Sequence, residues 1–159
     1  SAALIAGLTN VVTLRPDTLG VKYSEQGLSN SVHALGHLQD NKASNGWTGH
    51  QARMEIEKLH LKQIAKMAKK FAHIPEGNGT MLDNTTIMYG SPMADGNIHN
   101  HRRCPLLLMG GDANLVPGGT HLRAPDGTPM ADVMLSLLHK YNIDVPSFGD
   151  SLSPFALYA

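Results

Sequence analysis

Pro105-Leu106-Leu107-Leu108-Met109, closed by Gly110-Gly111, is apolar at every position of the run. A strand with one solvated face alternates apolar and polar residues. An unbroken apolar run therefore predicts a strand covered on both sides, as in a parallel sheet lying between helical layers. Upstream, Thr85-Thr86-Ile87-Met88-Tyr89 is β-branched and aromatic, and Val11-Val12-Thr13-Leu14 is a further apolar run ended by Pro16, so both are predicted as strands. Between and after them the period changes. From Gln51 to Ile74, the residues Ile56, Leu59, His60, Ile64, Met67, Phe71 and Ile74 recur at steps of three and four, which predicts an amphipathic helix stopped by Pro75, Gly77 and Gly79. A second helix is predicted after Thr128 as N-cap and Pro129 at the first helical position, with Met130, Val133, Met134, Leu137, Leu138 and Tyr141 on one face. Ala2 to Leu8 has helical composition, and Asp17 to Gly49 reads as a long irregular segment. Strands alternating with helices predict an α/β fold: one domain over residues 1–159, with a largely parallel sheet flanked by helices.

In such sheets ligands bind beyond the carboxyl ends of the strands. That rule nominates Arg15 to Gly20, Ser91 to Arg103 and Gly110 to Arg123. The chain carries nine histidines among 159 residues, so their placement is the main chemical question. Asp95, His99 and His101 fall on one loop after a predicted strand, and a carboxylate with two imidazoles suits zinc, manganese or iron. The same loop also reads as an ordinary Asp-Gly turn at Asp95-Gly96. His33 and His37 have the His-x-x-x-His spacing that puts two rings on one side of a helical turn; no glutamate lies between them, so the metalloprotease pattern is not matched, and two surface histidines fit the spacing as well. His121 completes the expected ligand set. Arg123 and Arg102, with Arg103, are candidates to hold phosphate or sulfate by forked hydrogen bonds, although an Arg pair is more often simply solvated. His60 reads as a satisfied core histidine, and His73 and His139 as structural residues near helix C-termini.

Other classes are excluded or left without a signal. Lys and Arg together number 13, as do Asp and Glu, so no net charge marks the chain for nucleic acid or an anionic membrane. No apolar run approaches the length of a membrane span. The single Cys104 offers neither an internal disulfide nor a paired-cysteine metal site. No nucleotide-binding glycine loop or nucleophile elbow is present, and Ser91 and Thr18 are hydroxyls with no evident base, so no nucleophile is nominated.

The run Ile74-Pro75-Glu76-Gly77-Asn78-Gly79-Thr80-Met81-Leu82-Asp83-Asn84-Thr85, followed by a strand and an Asp-His loop, resembles the bacterial family called domain of unknown function 1552. Val11 to Arg15 before Asp17-Thr18-Leu19-Gly20, Leu106 to Gly111, and the stretch from Gly119 through Leu138 are similar to it too, so the resemblance covers most of the chain. It implies membership of the alkaline-phosphatase and sulfatase-like clan, with metal ligands on loops at strand ends. It also implies that the chain matches the carboxyl-terminal part of a longer, exported architecture, with a periplasmic or extracellular location. The family's His-x-x-Ser-His-His signature is met by His33-Ala34-Leu35-Gly36-His37-Leu38 at two places only, Gly36 standing for the serine and Leu38 for the last histidine.

Two functions are consistent with these residues. One is a domain that binds a divalent metal (zinc, manganese or iron) through Asp95, His99, His101, His33, His37 and His121, and hydrolyses a small anionic phosphate or sulfate ester. The other is a non-catalytic structural or assembly subunit that docks on a protein partner or on the missing amino-terminal half. Neither calls for nucleic acid or a membrane span.

Overall fold

A computed structural model of the chain describes residues 1–16, 18, 20–111 and 118–157. Contacts divide it into two compact units, residues 1–70 with 95–100, and residues 71–94 with 101–159.

The first unit is helical. After the short α1 (Ala2–Ile5) the described residues form no helix or strand before a 3-10 turn at Ser24–Gln26, which Gly27 ends at φ 70. Helix α2 (Val32–Leu38) follows, its start fixed by the Ser31 hydroxyl, which accepts from the Ala34 N–H at 3.2 Å. Helix α3 (Gly49–Phe71) begins with a reciprocal cap. The Thr48 hydroxyl accepts from the Gln51 N–H at 3.1 Å, and the Gln51 side chain accepts from the Thr48 N–H at 2.9 Å. Two further N–H groups of its first turn, on Gly49 and His50, donate to the carbonyls of Asn41 and Gln39. The core here is Leu28, Val32, Leu35, Ala43, Ala52 and Ile56, with Val21, Tyr23, Leu38 and Trp47 packed against it. At Gly49 the start of α3 lies against the end of α2. A Cβ at that position would lie 2.7 Å from the Leu38 Cβ and 2.8 Å from both the Gln39 nitrogen and the Leu35 carbonyl oxygen.

The second unit holds the strands. β1 (Pro75–Glu76) and β2 (Gly79–Thr80) form a minimal hairpin around Gly77, at φ 56. β3 (Thr86–Gly90) pairs antiparallel with β4 (Leu106–Gly110), in a register that sets Met88 opposite Leu108. Helix α4 (Met130–Lys140) carries Asp132, which is 5% exposed although it is a carboxylate. Its Oδ1 accepts from the Leu152 N–H at 2.7 Å, and its backbone carbonyl accepts from the Phe155 N–H. Ser136 Oγ lies 2.9 Å from the Asp132 carbonyl and 2.8 Å from that of Phe155. The segment after α4 is thereby fastened to the helix, and Leu157 is buried beyond it.

The expected α/β fold, a largely parallel sheet in an alkaline-phosphatase-like arrangement, is not what these residues form. Among the described residues the sheets are two antiparallel ladders of two strands each, beside four helices. Parallel neighbours need a crossover of a dozen or more residues, usually helical, and residues 91–105 between β3 and β4 contain no helix. The apolar run itself does form β4, but Leu107 is exposed and its neighbours are half-buried, so the run is not covered on two sides. Val11 to Leu14 forms no strand. Val11 and Leu14 are 78% and 70% exposed. Asp17 to Gly49, expected to be irregular, holds α2 and the turn before it. Pro129 rather than Thr128 occupies the N-cap position of α4. Asp17, Leu19 and residues 112–117 of the Gly110 to Arg123 segment lie outside the described residues.

Candidate metal centre

In α2, Val32 and Leu35 are buried, which leaves His33 and His37 on the solvent side, one turn apart. Their ring centroids are 4.7 Å apart, edge to face. The third imidazole comes from the segment 95–100, which packs in the same unit. That segment is closed on itself: the Asp95 carboxylate accepts from the Asn97 N–H at 2.8 Å, and the Asp95 carbonyl accepts from the Asn100 N–H at 2.9 Å. Within this turn His99 takes φ 53, a left-handed conformation uncommon for residues other than glycine. Its ring centroid lies 5.1 Å from that of His37 and 6.0 Å from that of His33.

One ring nitrogen from each of His33, His37 and His99 falls within 4.8 Å of the other two, and all three side chains are exposed. Nitrogens around a tetrahedral ion stand roughly 3.3 Å apart, given metal–nitrogen bonds of about 2.0–2.1 Å. To share one ion the nitrogens would have to draw closer by up to about 1.5 Å. The donor set fits a transition ion: imidazole suits zinc, copper, iron and nickel, and three protein ligands leave a position for a water or a substrate oxygen. The three residues lie close enough to bind a metal.

The remaining candidates are placed elsewhere. Asp95 belongs to the same loop as His99, but one of its carboxylate oxygens is engaged in the turn just described, and it is not part of the three-residue cluster. His101 lies in the second unit, with Nδ1 2.7 Å from the Pro92 carbonyl oxygen. His121 and Arg123 are exposed in the second unit as well. Arg103 makes a forked pair with Asp126, at 3.1 and 2.8 Å, which holds the Asp126 carboxyl below its ordinary range through the hydrogen bonds first and the charge second. Arg102 adds a weaker push in the same direction. His60 is 12% exposed at its side chain, with Nε2 2.7 Å from the Tyr23 hydroxyl and Nδ1 3.6 Å from Glu57. His139 Nε2 lies 2.8 Å from the Val145 carbonyl, beyond the end of α4.

Sequence reasoning grouped Asp95, His99, His101, His33, His37 and His121 as one expected ligand set, of which the structure brings together His33, His37 and His99. No family model, no curated protein and no solved structure gives a significant match to this chain.

Proposed function

We propose that this chain is a metal-binding domain in which His33, His37 and His99 hold a divalent transition ion, zinc foremost, and that its chemistry is the hydrolysis of a small phosphate or sulfate ester. The observation that carries this reading is the convergence of three imidazole nitrogens within 4.8 Å at a solvent-exposed place. An ion held by these three neutral imidazoles would keep its positive charge and would supply Lewis-acid polarisation of an ester and activation of water. The chain's own part is to fix the ligand geometry. The α2 backbone spaces His33 and His37, and the closed 95–100 turn presents His99. The ester assignment rests on the position that three protein ligands leave open on an ion and on the exposure of the three rings, which leaves room for a substrate.

Plasma mass spectrometry of the purified chain, followed by zinc titration, tests the metal reading. One bound ion per chain, lost in a His33→Ala, His37→Ala, His99→Ala variant, supports it; the same metal content in both proteins refutes it. Release of nitrophenol from nitrophenyl phosphate or sulfate by the zinc-loaded chain, and not by the variant, tests the ester assignment separately.

A further inference from the structure

Gly36 stands in α2 between His33 and His37, and Gly96 stands in the turn that carries His99. A Cβ placed on Gly36 would lie 3.8 Å from the Gly96 carbonyl oxygen and 3.9 Å from its carbon, and a Cβ on Gly96 would lie 3.8 Å from the Gly36 Cα. The two backbones therefore approach closely enough that a methyl group on either glycine would already be in van der Waals contact with the other. This meeting point is on the same segment of α2 as the two helical ligands, so it sets how far the turn stands from the helix. The distance matters because metal–ligand lengths are held to within about 0.2 Å. The turn is stiff as well, closed by two hydrogen bonds on Asp95, so a push at Gly96 moves His99 with it instead of being absorbed between them.

We infer that Gly36 and Gly96 are positioning residues of the metal centre: their contact seats the 95–100 turn on α2 at the one separation that lets His99 join His33 and His37. This rests on the metal reading above. Neither glycine touches the ion. A side chain larger than alanine at either position lifts the turn off the helix and leaves a two-histidine site, whereas alanine fits in ordinary van der Waals contact.

The test uses the full chain and Co²⁺ as the probe, read by its visible absorption. Gly36→Ala and Gly96→Ala are expected to bind Co²⁺ as the wild type does. Gly36→Leu and Gly96→Leu are expected to bind about 10- to 100-fold more weakly, the range typical when support for a ligand is lost, with an absorption envelope like that of His99→Ala. Gly96 lies on an exposed turn, so Gly96→Leu decides the matter if Gly36→Leu does not fold, and its metal-free circular dichroism and thermal midpoint are expected to match the wild type. Leucine variants that bind as tightly as the wild type overturn the inference and leave the metal centre standing. Equal weakening by alanine and leucine also overturns it, since alanine displaces nothing. A wild type that binds no Co²⁺ overturns the metal reading and this inference with it.

Discussion

The His99 ring meets the His37 ring nearly edge-on, at 5.1 Å and 70°, although the two residues belong to segments far apart in the sequence. On the proposed reading this pair distinguishes His99 from its near neighbour His101, whose ring is held at the Pro92 carbonyl. His99→Ala is expected to weaken zinc binding by more than about tenfold, or ~1.4 kcal/mol. His101→Ala is expected to leave the affinity within about twofold, ~0.4 kcal/mol on the same scale. Isothermal titration of both variants decides it: equal losses would remove His99 from its special place.

Two glycines in helices predict opposite responses to the same substitution. At Gly36 a methyl group meets nothing closer than 3.8 Å, so Gly36→Ala is expected to stabilise by about 0.5–1 kcal/mol, the usual gain on replacing glycine inside a helix. At Gly49 the methyl group would stand 2.8 Å from backbone atoms that cannot rotate away, and overpacking of this kind costs about 1–3 kcal/mol. Clash outweighs propensity there. Urea unfolding of the two variants should shift the midpoint in opposite directions.

Asp132 fastens the segment after α4 by accepting from the Leu152 N–H while almost wholly buried. Asp132→Ala leaves that donor without its partner, a loss of about 1–3 kcal/mol. It should also raise proteolysis within residues 148–157, the part the carboxylate ties down. Limited digestion with an unchanged cleavage pattern would show that the tie is dispensable.

Acid should weaken the fold through two carboxylates held below the ordinary value of about 3.9. Asp126 is lowered by Arg103, and Asp83 by hydrogen bonds from the Thr80 hydroxyl and then the Thr80 N–H. A carboxyl group with a lowered pKa in the folded chain contributes its stability fully above the unfolded value. That contribution disappears as pH falls through the folded one. The thermal midpoint of an Asp83→Asn, Asp126→Asn variant should thus lie below that of the wild type at neutral pH, and the gap should close on acidification. Both sites are exposed, so the gap is expected to be small. A gap that widens towards low pH would reverse the assignment.

The helices were the most legible part of the sequence, because α3 and α4 repeat an apolar position every three or four residues over many turns. The ends of α3 shifted for a local reason. The Thr48/Gln51 cap starts it at Gly49, ahead of the apolar pattern, and it stops at Phe71 before Ile74, the residue preceding Pro75, which proline biases away from helix. β3 and β4 were also visible as runs. Their direction was not, because Leu106 to Met109 has the composition of a covered strand while the absence of a helix in residues 91–105 decides the pairing. Val11 to Leu14 failed for a related reason: β-branched composition makes a strand possible, but a partner must supply the ladder. The spacing of His33 and His37 was readable from helical geometry. That His99 joins them while Asp95, His101 and His121 do not was not readable, since it depends on a backbone approach with no local signature.

The 95–100 segment belongs to the first unit, whereas the residues on either side of it belong to the second. An ion on His33, His37 and His99 would therefore act as a crosslink as well as a centre for chemistry. It would close a loop of roughly 60 residues, and the chain-entropy estimate for a covalent bridge of that span is about 4 kcal/mol. Removing the ion would open that ring, as reduction opens a ring in a disulfide-bonded protein.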